Sequence, residues 1–312
     1  MAFTSKLIVR ALSTSAAHFN SIKTVTVIGS GLMGSGIAQV AAASGHKVIV
    51  VDKTQDIINK AESSIKKSLE RIVKKKFPDD TKVGKQKYLT DVLENLSLST
   101  DALAAVKSSD LVIEAIVENL DVKKELFSAL DKAAPEKTLF ASNTSSIPIK
   151  EIATATQRKD RFGGLHFFNP VPLMKLLEVI RIPETTDATY KSLEAFGKAL
   201  GKTTVQCKDT PGFIVNRLLV PYMAEAIRLV ERGDASPRDV DTAMKLGAGY
   251  PMGPFELLDY VGLDTTKFII DGWSKKEPDN PLFQPSQMLN KLVKENKLGM
   301  KSGEGFYKYD KK

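Results

Sequence analysis

One cysteine, one tryptophan and three histidines are all that 312 residues carry of these types. The single Cys207 excludes an internal disulfide and any cysteine-built zinc site, and it suits a reducing compartment. No metal site is expected. No apolar run approaches the roughly 18–20 residues needed to span a bilayer, so a soluble protein is expected. The net charge is +8, without zinc-finger spacing or an RNA-binding aromatic signature. That surplus favours an anionic small molecule over nucleic acid. Acid is missing from the first 51 residues, and Asp52 is the first carboxylate.

That gap has two parts. Residues 1–20, MAFTSKLIVRALSTSAAHFN, hold Lys6, Arg10, several hydroxyl side chains and a loose apolar stripe of Leu7, Val9 and Leu12. A basic, hydroxylated, acid-free lead reads as a mitochondrial transit peptide, with a plain disordered tail as the alternative. Its apolar stretch, broken by Arg10, is too short for a secretory signal.

Residues 25–52 are the most informative stretch. A β-branched run (Val25, Val27, Ile28) enters the loop Gly29-Ser30-Gly31-Leu32-Met33-Gly34. An alanine-rich helical segment and a second apolar run follow, ending on Asp52. Gly29 permits the tight turn, Gly31 lets backbone approach a pyrophosphate, and Gly34 lets helix and strand pack closely. The helix N-terminus adds free N–H groups and a positive dipole end. Asp52 lies eighteen residues after Gly34, where a carboxylate accepts both adenosine ribose hydroxyls and repels a 2′-phosphate. NAD is therefore favoured over NADP.

Downstream, a helix is predicted from Gln55 to Phe77, with Lys67, Arg71, Lys74 and Lys75 on one face. Strand runs near Leu96–Leu98, Leu111–Ile113 and Thr138–Ala141 alternate with helices near Asp101–Lys107 and Val122–Ala134. This alternation predicts a doubly wound parallel sheet of Rossmann type. Strand-like Phe162–Phe168 and Leu176–Ile180, a helix at Ala188–Leu200 and a strand at Thr203–Cys207 extend it. From Pro211 the apolar spacing turns helical, and Gly233 and Ser236-Pro237 punctuate it. The expected division is a transit peptide at 1–20, an NAD-binding unit at 21–208 and an all-helical unit at 209–312.

Oxidising an alcohol with a nicotinamide needs a group that takes the hydroxyl proton, and histidine suits that task near neutral pH. His18 lies in the leader and His46 at a helix-to-strand turn, where it reads as a surface loop residue. His166 remains, in GLHFFNP. Glu178 sits in the apolar run LLEVI, where a carboxylate is costly unless bonded or paired. The turn Asn169-Pro170-Val171-Pro172 can return this strand beside His166, making Glu178 the group that orients the imidazole. The plainer readings are a satisfied core histidine, and a carboxylate held by Lys175 or backbone amides.

Together GSGLMG at Gly29–Gly34, Asn143-Thr144-Ser145-Ser146, His166-Phe167-Phe168-Asn169-Pro170, Lys208-Asp209-Thr210-Pro211-Gly212-Phe213 and Gly249-Tyr250-Pro251-Met252-Gly253-Pro254 resemble the L-3-hydroxyacyl-CoA dehydrogenase family, nearest its short-chain mitochondrial members. The resemblance covers nearly everything after the leader. It implies NAD-dependent oxidation of (S)-3-hydroxyacyl-CoA in fatty-acid β-oxidation, by a homodimer of the mitochondrial matrix. It further implies that His166 is the catalytic base and Glu178 its partner, with Ser145 and Asn216 near the substrate. Glu118, Lys123, Ser145, Asn169 and Lys301 would touch NAD, and Ser68, Lys75 and Ser145 the CoA substrate.

Plainer roles stay open beside these. The Lys67–Lys75 face is also a solvated helix face, Ser145 an N-cap ahead of Ile147–Ile152, Asn216 an ordinary helix polar residue and Lys301 a turn lysine. Two other functions remain: a sister dehydrogenase for a free 3-hydroxy acid or sugar acid, and a silent dinucleotide-binding structural protein. A multifunctional chain with a hydratase unit is not expected from this length.

Overall fold

A computed structural model describes residues 22–77 and 82–310. The expected leader, with Lys6, Arg10 and His18, lies outside the described residues. The first part of the chain alternates strand and helix: β1 (Thr24–Ile28), α1 (Leu32–Ala43), β2 (Lys47–Val51), α2 (Gln55–Lys76), α3 (Lys82–Leu93), β3 (Leu96–Ser99), α4 (Ala102–Val106), β4 (Leu111–Glu114), α5 (Leu120–Ala133) and β5 (Leu139–Ser142). It continues through α6 (Ile149–Ala153), β6 (Phe162–Phe167), β7 (Leu176–Arg181), α7 (Asp187–Ala199) and β8 (Thr203–Lys208).

These strands form one eight-stranded sheet in the order β3-β2-β1-β4-β5-β6-β7-β8. The order reverses between β1 and β4, and the crevice outside their carboxyl ends is where such sheets bind ligands. β1 to β6 are parallel, as the alternation predicts. β7 departs from that rule and runs antiparallel to β6, with β8 parallel to β7. Only eight residues separate β6 from β7, too few for the helical crossover that a parallel return needs.

Side chains divide between the two faces of the sheet by the period of two. Val25, Val27, Leu111, Ile113 and Leu165 pack beneath α1 and α2. Ile28, Val112, Phe140 and Ile180 pack on the other face with Phe127 of α5. Rings of Phe127 and Phe162 meet at 4.8 Å between centroids. On α2, Ile58, Ile65, Leu69 and Val73 make the buried stripe, and Thr54 caps its first turn by accepting from the Ile57 N–H. α3 is not foreseen by the sequence pattern. Its Gly84 lowers helix propensity, and the packing of Tyr88, Leu89, Val92 and Leu93 on the core supplies the order instead.

His46 is likewise not a free surface residue. Its Nδ1 lies 3.0 Å from the Ile22 carbonyl oxygen, and its ring meets Phe196 edge-on at 5.1 Å. The turn after α1 is pressed against α7, so the imidazole is half-buried.

The rest of the chain is helical: α8 (Val215–Glu231), α9 (Pro237–Gly247), α10 (Pro254–Val261), α11 (Leu263–Lys276) and α12 (Gln287–Lys294). Val220, Met223, Ile227, Phe255, Leu258 and Trp273 form its core. Two buried carboxylates fasten the tail onto it. Asp259 accepts from the Phe306 and Tyr307 N–H groups and the Tyr309 hydroxyl, and Asp241 from the Tyr307 hydroxyl and the first turn of α10. In the tail before Tyr309, strand pairing amounts to two isolated bridges, Gly299 with Glu304 and Glu304 with Lys308.

Candidate active site

His166 and Glu178 are directly opposite one another in the antiparallel ladder of β6 and β7, so both side chains leave the same face of the sheet. His166 Nδ1 lies 2.7 Å from Glu178 Oε2. Both residues are buried, and β6 is buried along its whole length. The other carboxylate oxygen accepts the Ile214 N–H at 3.1 Å and the Val215 N–H at 2.9 Å, at the start of α8. Two of the alternatives from sequence thus coexist: Glu178 is held by the histidine and by backbone amides, but not by Lys175. Gly212 at φ 80° and Phe213 at φ 54° form the left-handed turn that aims those amides.

With Nδ1–H donating to the carboxylate, Nε2 carries the lone pair, 3.2 Å from Ser145 Oγ. The rings of Phe168 and Phe213 flank the imidazole at 4.6 and 5.3 Å. Here is a base with a fixed tautomer, an orienting carboxylate and a hydroxyl beside the free nitrogen. That set performs proton transfer to or from an oxygen.

Ser145 owes its position to Glu118. One oxygen of Glu118 accepts from the Thr144 hydroxyl, the Ser145 and Ser146 N–H groups and the Ser146 hydroxyl, at 2.5–3.1 Å. The other lies 3.2 Å from Lys123 Nζ. Burial alone would raise the Glu118 carboxyl, but Lys123 and these donors more than offset it and hold the pKa below the usual range. Lys123 also donates to Glu114 at 2.5 Å, and the Ser142 hydroxyl donates to the other Glu114 oxygen. Ser145 is not a helix cap. Pro148 occupies that position on α6, and the Ile149 and Lys150 N–H groups instead meet Asp209 from the end of β8. Burial raises the Asp209 carboxyl despite those two donors.

The glycine loop lies at the carboxyl end of β1. Gly29 has φ +97, and a Cβ there would meet the Ala115 carbonyl oxygen at 2.5 Å. A Cβ on Gly34 would collide with the Gly29 carbonyl. At Gly31 nothing stands within 4 Å of that position, and no side chain caps the first turn of α1. Open space at an uncapped helix N-terminus fits a pyrophosphate. Ser30, Leu32 and Met33 complete the loop. Asp52 follows β2, accepting from the Ser30 N–H, the Ser30 hydroxyl and the Lys53 N–H at 2.7–2.8 Å. Burial pulls its carboxyl upward, and those donors outweigh it and lower the pKa. The residues present fit an adenine dinucleotide with a free ribose diol.

The remaining expected site residues stand further apart. Asn169 is exposed just past β6, and Asn216 is half-buried in the first turn of α8. Lys301 pairs with Asp264 at 2.5 Å, within the helical part. Ser68 and Lys75 lie on α2 with Lys67, Arg71 and Lys74. Among the described residues none of these four cations has a carboxylate partner. Glu114, Asp209 and the α8 amides escape the sequence reading. Glu114 ends the strand LVIE and carries the same signal as Glu178, a carboxylate in an apolar run.

With this geometry in place, the chain can be set beside known proteins. A family model described as 3-hydroxyacyl-CoA dehydrogenase, NAD binding domain, matches residues 24–210. A second, described as 3-hydroxyacyl-CoA dehydrogenase, C-terminal domain, matches residues 212–309. The chain is 63% identical to hydroxyacyl-coenzyme A dehydrogenase, mitochondrial, from Homo sapiens, across 99% of this chain and 100% of that protein. It is 43% identical to a probable 3-hydroxybutyryl-CoA dehydrogenase of Bacillus subtilis, across 93% of this chain and 99% of that one. The crystal structure of an (S)-3-hydroxybutyryl-CoA dehydrogenase from Ralstonia eutropha matches with a TM-score of 0.88 at 40% identity, covering 93% of this chain and 100% of that chain. Two contiguous family matches and full-length identity of this order lead to one conclusion: the chain belongs to the 3-hydroxyacyl-CoA dehydrogenase family.

Proposed function

We propose that this chain oxidises the 3-hydroxyl of an (S)-3-hydroxyacyl-CoA to the ketone in fatty-acid β-oxidation. When bound, NAD⁺ supplies the acceptor for the hydride that leaves C3. In this reading Gly29–Gly34 and Asp52 hold its adenosine diphosphate half, and Glu118, Lys123, Asn169 and Lys301 contact the rest. His166 Nε2 takes the hydroxyl proton, so one proton stays on the enzyme and passes to solvent. Glu178 lowers the cost of the imidazolium by presenting a full negative charge 2.7 Å from Nδ1. Ser145 Oγ, 3.2 Å from Nε2, hydrogen-bonds the same substrate oxygen, and Asn216 orients the thioester end. Such positioning counts because reacting atoms must sit about 3–3.5 Å apart. Lys67, Arg71, Lys74 and Lys75 of α2, which have no carboxylate partner among the described residues, attract the coenzyme A phosphates together with Ser68.

The observation that carries this reading is the His166–Glu178 pair, buried and aligned with a hydroxyl on its free nitrogen. We place the dinucleotide unit at 21–208, the unit that closes the substrate cleft at 209–312 and an import leader at 1–20, with the protein acting in the matrix. The helical unit exposes Leu218, Leu246 and Phe268, apolar surface of the kind that pairs two copies. Sedimentation tests the homodimer.

The activity is tested by NADH formation from (S)-3-hydroxybutyryl-CoA beside free 3-hydroxybutyrate, with His166→Gln as control. Turnover of the thioester alone, lost in the variant, supports the reading. Turnover of the free acid moves the protein to a sister activity. NADH binding without any turnover leaves a structural role.

A further inference from the structure

The connection between β6 and β7, residues 168–175, carries Asn169 at one end and leads into the strand of Glu178 at the other. Besides the Lys175 carbonyl, which takes the Thr203 N–H of β8, and the Pro170 carbonyl, which takes the Leu173 and Met174 N–H groups, the segment has carbonyl groups outside any strand pairing. Two of them, on Val171 and Met174, accept hydrogen bonds from one buried ammonium: Lys202 Nζ, at 2.5 and 2.7 Å. Lys202 stands just before β8, and it has no carboxylate partner among the described residues. Burial lowers its pKa, the cost of placing a cation where only carbonyls receive it. A methionine would fill the same space without that cost, so the charge calls for an explanation beyond packing.

The other side of the connection rests on α1. Val171 is buried, and a Cβ added to Gly36 would stand 2.8 Å from the Val171 Cβ. Gly36 lies past the three glycines of the dinucleotide loop and is not part of that turn. Its missing side chain lets the connection lie against the helix that starts at the loop. The segment is thus pinned between α1 and Lys202, and it spans from Asn169 to Glu178.

We propose that Lys202 and Gly36 are positioning residues that clamp the 168–175 connection, setting the cofactor side and the His166–Glu178 pair in one register. The clamp rests on the assignment of His166 and Glu178 as the catalytic pair. Ammonium bonds to two turn carbonyls do what strand pairing does elsewhere in the sheet: they leave the loop a single conformation while its tip, with Leu173 and Met174, stays exposed. Loosening it misplaces groups at both ends together.

The test compares Lys202→Met and Gly36→Ala with Ala41→Gly, which weakens α1 away from the connection. Steady-state kinetics, NADH affinity by fluorescence, thermal midpoint and amide exchange at Leu173 and Met174 are measured for each. Those two N–H groups donate to the Pro170 carbonyl at 2.9 and 3.0 Å and report the loop directly. The expected result is faster exchange, weaker NADH binding and kcat/KM reduced by roughly ten- to a hundredfold in both clamp variants, with kinetics intact in Ala41→Gly. Unchanged kinetics, NADH affinity and exchange in folded Lys202→Met overturn the proposal. If that variant fails to fold, unchanged kinetics in Gly36→Ala overturn it equally. A wild-type chain that turns over no thioester defeats the underlying assignment instead, and the exchange data then stand by themselves.

Discussion

Glu178 Oε1 accepts the Val215 N–H at 2.9 Å, so the carboxylate that orients the histidine is itself anchored by the first turn of the helical unit. The base on β6 is thereby tied to α8 through one side chain. Held by two N–H bonds at a helix N-terminus, the carboxylate cannot rotate away from Nδ1. Glu178→Gln keeps the shape and removes the charge. Its kcat is expected to fall by about 10²–10⁴-fold with little change in NADH affinity. Gly212→Ala reaches the same bond indirectly. Its Cβ would stand 2.5 Å from the Trp273 ring at φ +80, forcing the turn to move, and kcat should drop about tenfold or more. Wild-type kcat in Gly212→Ala would show that the α8 amides are not needed.

Lys123 is buried between Glu114, at 2.5 Å, and Glu118, at 3.2 Å. Removing it leaves the Glu114 carboxylate without a cation in the interior. Lys123→Met should therefore cost about 3–5 kcal/mol of stability, read by urea unfolding. Pairing it with Glu114→Gln should recover part of that loss, because the orphaned charge is gone. Equal stability of the single variant and the wild type would mean that the network contributes nothing net.

What the sequence makes legible follows from how local each signal is. The glycine loop, Asp52 and the strand runs lie within 28 consecutive residues, and their spacing alone gives the dinucleotide unit. His166 and Glu178 are twelve residues apart and paired by a short return, so their meeting is also readable. The Glu118 bonds to Thr144, Ser145 and Ser146 close over more than 25 residues, and no periodicity announces them. The same holds for Asp209 over α6, 60 residues from Ile149. α3 and the half-buried state of His46 were hidden because tertiary packing, not propensity, decides them. The antiparallel turn of β7 is readable only from the short Asn169–Pro172 return, because the strand and helix alternation records strands without their direction.

Asp52 offers a test of cofactor choice. Its oxygens fix Ser30 and Lys53, and in the proposed function its charge meets the adenosine ribose. Asp52→Asn loses charge-assisted bonds worth about 1.5–3 kcal/mol each, so the KM for NAD⁺ should rise roughly ten- to a hundredfold. Use of NADP⁺ should improve relative to NAD⁺, since the repulsion of a 2′-phosphate disappears. An unchanged ratio of kcat/KM for the two cofactors would remove Asp52 from the discrimination.

His46 sets an acid-side limit on stability. Burial lowers its pKa, against the smaller upward pull of the bond to Ile22. In the unfolded chain the imidazole takes up a proton near its ordinary value of about 6.5, while in the folded chain it resists until a lower pH. Between those two values the unfolded state binds more protons, so stability falls as pH drops through that window. Above about 6.5 the contribution is fully present, and below the folded pKa no further loss accrues. His46→Gln keeps a donor for the Ile22 carbonyl and cannot be protonated. Thermal midpoints recorded from neutral pH down to mildly acidic buffer should therefore fall more steeply for the wild type than for this variant. Parallel curves would mean that His46 protonates as readily folded as unfolded, and that its packing against Phe196 costs the charged ring nothing.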